Sequence, residues 1–135
     1  MQIEAKDIFD NMDDGEVWLR VQGTSMRPFL RDSRDTVILR KPDKLEIGDI
    51  VVFKRKETYI MHRIIETGNG YITTLGDNLK VPEKNIPFEN VCAKVIGAVR
   101  DGKRINPDSA VWKFYSRVYI KPDVRKMLTK IRSWR

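Results

Sequence analysis

Apolar and polar positions change their period twice along the chain. Ile3, Ile8, Phe9 and Met12 form one side of a short opening helix, which Asp13-Asp14-Gly15 breaks. The pattern then becomes that of strands. Val17–Val21, Thr36–Leu39, Ile50–Phe53, Tyr59–Ile65, Tyr71–Leu75 and Val91–Val99 are short runs rich in β-branched and aromatic residues. Between them lie Arg27-Pro28, Lys41-Pro42-Asp43, Gly48-Asp49 and Gly68-Asn69-Gly70, and Asn69-Gly70 predicts a hairpin joining the Ile64 and Ile72 runs. Six strands in about 85 residues predict a mainly β fold, a small curled or barrel-like sheet. From Pro107 the period becomes helical, with Val111, Phe114, Tyr115, Val118 and Tyr119 on one side, then Val124, Met127, Leu128, Ile131 and Trp134. Pro122 divides this stretch, so the sheet is followed by a C-terminal helical hairpin.

At 135 residues and 41% hydrophobic content the chain supports one modest core, which excludes a two-domain enzyme. The net charge of +7 is concentrated at one end: residues 100–135 carry 11 Lys and Arg against 3 Asp and Glu. Charge and period together divide the chain into a β domain over 1–104, with its short N-terminal helix, and a basic amphipathic helical tail over 105–135. One Cys and one His cannot build a zinc cluster or a disulfide, so the expected chemistry uses no metal and no cofactor. The opening segment is acidic, and no apolar run approaches the ~18–20 residues needed to span a bilayer. A cytoplasmic protein is expected.

Three segments are dense in chemistry. In Val21-Gln22-Gly23-Thr24-Ser25-Met26-Arg27-Pro28, Ser25 stands just beyond a strand end after a glycine, where its hydroxyl and backbone N–H can both face a cleft, as an acyl-transfer nucleophile requires. The purely local reading is a turn serine bonded to its own backbone. His62 lies in an apolar strand. Imidazoles ordinarily titrate near pH 6.5, about where a base that removes a hydroxyl proton should, although a strand His is more often held structurally. Asp77 and Glu83, in and beyond the Gly76-Asp77-Asn78 turn, are the carboxylates available to orient an imidazole; Asp77, in the tighter turn, is the expected partner. Met26 either lines the pocket beside the nucleophile or packs beneath it. Cys92 reads as a small core hydrophobe.

Together these segments resemble the S24/S26 serine peptidase superfamily, which contains type I signal peptidases and self-cleaving SOS-type repressors. The resemblance runs from about Val17 to Lys103. Val21-x-Gly23-x-Ser25-Met26 is similar to the nucleophile box in its repressor form, Pro28 is shared more with the signal peptidases, and Gly48-Asp49-Ile50-Val51-Val52-Phe53 resembles the Gly-Asp strand that follows. His62-Arg63 followed by Gly76-Asp77-Asn78 resembles the endoplasmic-reticulum and archaeal signal peptidases, in which a His replaces the more common Lys base. Glu83 occupies that family's second acidic position. The chain departs from the pattern at Gly23, where bacterial signal peptidases often place a Ser that helps hold the oxyanion; at Arg34, where a Gly is usual; at Glu83, where an Asp is usual; and in showing no anchoring membrane helix.

The resemblance implies a serine endopeptidase in which Ser25 attacks, His62 is the general base, and Asp77 or Glu83 orients it. The Ser25 N–H and Thr24 would hold the oxyanion. The implied partner is a peptide or precursor-protein substrate with small residues beside the cleaved bond. The rival readings are a self-cleaving or regulatory protein and a non-catalytic binding module of the same fold. For the tail, the simplest reading is helices packed on the core. Its cations and aromatic side chains also suit peripheral contact with an anionic membrane surface through 105–135, and no motif supports nucleic-acid binding. The sequence does not specify an oligomeric state.

Overall fold

A computed structural model describes residues 15–121 together with Phe9 and Met12. Eight strands form one antiparallel sheet: β1 (Val17–Arg20), β2 (Asp35–Arg40), β3 (Ile50–Arg55), β4 (Thr58–Thr67), β5 (Tyr71–Leu75), β6 (Glu83–Pro87), β7 (Val91–Arg100) and β8 (Lys103–Ile105). The order across the sheet is β1-β2-β7-β3-β4-β5-β6, with β8 added on β7. The fold is mainly β, as expected, and the sheet is curled without closing. Asn78, after β5, donates from its backbone to the Ser25 carbonyl at 2.9 Å, so the loops following β1 and β5 meet although their strands lie near opposite ends of the sheet.

Ile50-Val51-Val52-Phe53 is a continuous apolar run because β3 lies between β4 and β7 and is covered on both faces. Ile50 and Val52 join a core with Met26, Phe29, Leu30, Leu39 and Val95. Val51 and Phe53 join Ile64, Ile72, Ile86 and Val91 on the other face. The β4–β5 hairpin turns at Gly68-Asn69-Gly70, where Gly70 has φ +87° and Gly68 N–H donates to Tyr71 O at 2.9 Å. Asp35, fully buried, accepts from Arg34, Arg100 and the Arg31 N–H, which ties the 31–34 turn to β2 and β7. Burial raises its carboxyl pKa, but these bonds outweigh burial and hold it below the usual carboxylate value.

Among the described residues one helix, α1 (Ala110–Tyr119), follows the sheet, and its N-cap Ser109 accepts from the Trp112 N–H. Its buried side is rotated from the expected stripe. Trp112 and Tyr119 are buried and Tyr115 is half-buried, whereas Val111 and Phe114 face water. The reason is Phe29 in the main core: it stacks on Tyr115 at 4.9 Å and meets the edge of Trp112 at 5.0 Å, so aromatic contact sets the rotation of the helix. Phe9 is helical and packs on Tyr59. The remainder of the expected opening helix and the second piece of the hairpin, beyond Pro122, lie outside the described residues. Among those described, no helix is long and apolar enough to cross a membrane.

Candidate active site

Ser25, His62 and Glu83 come from three separate parts of the chain, and the strand period explains how the last two meet. Successive residues on a strand face opposite sides. On β4, His62 therefore shares the face of Val51, Phe53 and Ile64, while Arg63 turns to the face of Ile50. Each of these neighbours takes its own carboxylate. His62 Nδ1 is 2.6 Å from Glu83 Oε1, an atom that also accepts from Thr74 Oγ1 at 2.8 Å. Arg63, fully buried, donates from Nε and Nη2 to the two oxygens of Asp77 at 2.8 Å each.

The expected His62–Asp77 pairing is thus replaced by His62–Glu83. Asp77 lies on the opposite side of β4 from the imidazole, and both its oxygens are engaged by Arg63. Glu83 opens β6 directly across from Thr74 of β5, and this register brings it to the ring. Burial pushes the Glu83 carboxyl up. The His62 and Thr74 hydrogen bonds, with the charges of His62 and Arg55, pull it further down, so the net shift is below the usual value. An ionised carboxylate only accepts, so the proton of the 2.6 Å contact sits on Nδ1, and in the neutral ring Nε2 carries the lone pair that a base needs.

Nε2 faces the Ser25 segment across Gly76. A Cβ on Gly76 would lie 2.8 Å from the Ser25 carbonyl oxygen and 2.9 Å from His62 Nε2, so only glycine lets the two segments approach this closely. Ser25 and His62 line one cleft of about 280 Å³, bordered by Val21 and Gln22 from one segment and Tyr59, Ile60 and Met61 from the other. Gly23, at φ +78°, makes the turn that carries Ser25 away from β1. Thr24 is exposed, and its carbonyl accepts from Asn78 Nδ2 at 3.2 Å and from the Arg27 N–H at 3.2 Å. Met26 packs in the core beneath the loop and does not line the cleft. Cys92 is half-buried, its Sγ donating to Asn90 O at 3.5 Å.

A model of the Peptidase S24-like family matches residues 2–100 of the 135. The chain belongs to this family. The S24-like family has a peptidase fold and includes self-cleaving and regulatory members. No curated protein and no solved structure matches the chain. The matched span contains Ser25, His62, Asp77 and Glu83, and it ends before α1. Two contributors to the site went unnoticed in the sequence. Thr74 is one of two adjacent threonines in β5 and nothing in the sequence separates it from Thr73, and Gly76 carries the signal of a turn although its lack of a side chain also sets a spacing.

Proposed function

We propose that this S24-like chain is a serine endopeptidase of the Ser-His type. Ser25 Oγ attacks the carbonyl carbon of a peptide bond while His62 Nε2 accepts its proton. Glu83, backed by Thr74, holds the imidazole in the Nδ1–H form and stabilises the positive charge that develops on the ring. The tetrahedral intermediate then collapses, His62 returns the proton to the leaving amine, and water releases the acyl group from Ser25 by the same two steps in reverse roles. The Ser25 N–H, which donates to no group among the described residues, is available to the oxyanion. The substrate is an extended segment lying in the cleft between Val21-Gln22 and Tyr59-Ile60-Met61, with small side chains beside the cleaved bond as the family resemblance implies.

The observation that supports this reading most strongly is the buried 2.6 Å contact between His62 Nδ1 and Glu83, which orients the opposite ring nitrogen toward the Ser25 segment. The test is cleavage of a peptide library by the purified chain and by Ser25→Ala. The substitution should abolish turnover and leave the melting temperature nearly unchanged. Equal cleavage by the variant, or no cleavage by the wild-type chain together with no labelling of Ser25 by a fluorophosphonate, overturns the peptidase assignment.

A further inference from the structure

The helix α1 lies beyond the span shared with the family, yet it touches the supports of both reacting residues. On one side it packs Trp112 and Tyr115 against Phe29, in the same turn segment as Ser25. On the other, Ser116 Oγ accepts from Arg63 Nη1 at 3.0 Å, and Arg63 directly follows His62. The Arg63 guanidinium also lies over the Phe29 ring, 5.6 Å from its centre.

Arg63 has no freedom of its own. Nε and Nη2 are committed to Asp77, and Nη1 is shared between Gly48 O at 3.0 Å and Ser116. Asp77 sits between Gly76, which spaces Ser25 from His62, and Asn78, which binds the carbonyls of Ser25 and Thr24. A continuous path therefore leads from the helix to the Ser25 loop: hydrogen bonds from Ser116 to Arg63 and from Arg63 to Asp77, the peptide bond to Asn78, and hydrogen bonds from Asn78 to the Ser25 and Thr24 carbonyls. A buried guanidinium that loses an acceptor shifts to find another, and the carboxylate clamped to it moves as well.

We infer that Ser116 is a positioning residue: through Arg63 and Asp77 it fixes the Gly76–Asn78 turn against Ser25, so that the docking of α1 sets the approach of Ser25 to His62. The catalytic consequence rests on the peptidase reading above, whereas the positional one does not. A small misplacement of reacting groups by a remote substitution costs up to about 100-fold in rate.

The test uses the full chain and three variants: Ser116→Ala, Ser116→Thr, which keeps the hydroxyl, and Lys113→Ala, an exposed position on the same helix. Two quantities are read, the rate of Ser25 labelling by a fluorophosphonate and the ring NMR signals of His62, the only histidine. Ser116→Ala should slow labelling about tenfold, lower kcat with KM little changed, and shift the His62 signals together with the amides of 24–27 and 76–79. Ser116→Thr should restore both quantities, and Lys113→Ala should change neither. If the wild-type chain is inert but Ser116→Ala still moves the His62 signals, the positional link stands and the peptidase reading falls. Unchanged His62 signals in Ser116→Ala, or changes confined to α1 and Arg63 with labelling at the wild-type rate, overturn the inference while leaving the peptidase reading intact.

Discussion

Replacing each of the two buried carboxylates that pair with His62 and Arg63 by its amide should produce opposite failures. In Glu83→Gln the side chain keeps its shape. If its amide oxygen occupies the position of Oε1, it still accepts from His62 Nδ1 and Thr74, but a neutral group no longer stabilises the imidazolium. If the amide flips, its NH2 meets Nδ1, forces the ring proton to Nε2, and presents Ser25 with a donor where a base is needed. Either outcome should cost kcat about 10⁴-fold, the scale of the same amide swap in a Ser-His-Asp triad, or about 5.4 kcal/mol of barrier. Asp77→Asn leaves the fully buried Arg63 with a neutral partner whose NH2 opposes one of its donors. Breaking a buried pair from one side costs about 3–5 kcal/mol of stability, or roughly 10–20 °C in melting temperature for a domain of this size. Single-turnover cleavage of a fluorogenic peptide measures the first effect, and thermal melting followed by circular dichroism measures the second. Near-normal kcat in Glu83→Gln would refute the role assigned to Glu83. An unshifted melt in Asp77→Asn would refute the account of Arg63.

Three further outcomes follow from the geometry. Gly76→Ala should lower kcat at least about 100-fold and destabilise the chain by about 1–3 kcal/mol, since the new Cβ meets backbone that cannot yield at 2.8 Å; full activity would show that the Ser25 and His62 segments can separate freely. Because the Glu83 and Asp35 carboxyls titrate below their usual values in the folded chain, their contribution to stability is complete above about pH 4.5 and is lost as pH falls through the folded values. Melting temperature against pH should therefore drop in acid, and Glu83→Gln should flatten part of that drop. Trp112→Ala should cost about 3–5 kcal/mol by chemical denaturation, because the indole is buried against Phe29.

The strands that carry the site were legible because their apolar runs are long relative to their turns, and the Gly68-Asn69-Gly70 hairpin declared itself by composition. Strands β6 and β8 were not. Glu83-Lys84-Asn85-Ile86-Pro87 has one buried apolar side chain, so it is held by pairing with β5 and not by a hydrophobic face, and the three residues of β8 are too few for any period. The same gap misled the choice of carboxylate. Without β6 there is no register to place Glu83 opposite Thr74, and the turn containing Asp77 is the more conspicuous feature. On α1 the helical period was clear but its phase was not, because the apolar residues Val111 and Phe114 face water while the large Trp112 is buried. The phase depended on Phe29, a contact remote in sequence.

The path of strands across the open sheet begins on β1 and ends on β6, and these two outer strands differ in what they invite. At one end β6 ends in a proline, bears charged Lys84, and holds Asn85 at φ +58°, three features that spoil a template for another strand. At the other end β1 is only four residues long and carries the charged Arg20, but it has neither a proline nor a residue at positive φ, and its Trp18 is more than half exposed. Among the described residues β1 is the more regular of these two edges, and it is the one that leads into the Ser25 loop. Self-association through that edge would therefore grow with concentration and compete with whatever the loop is there to receive.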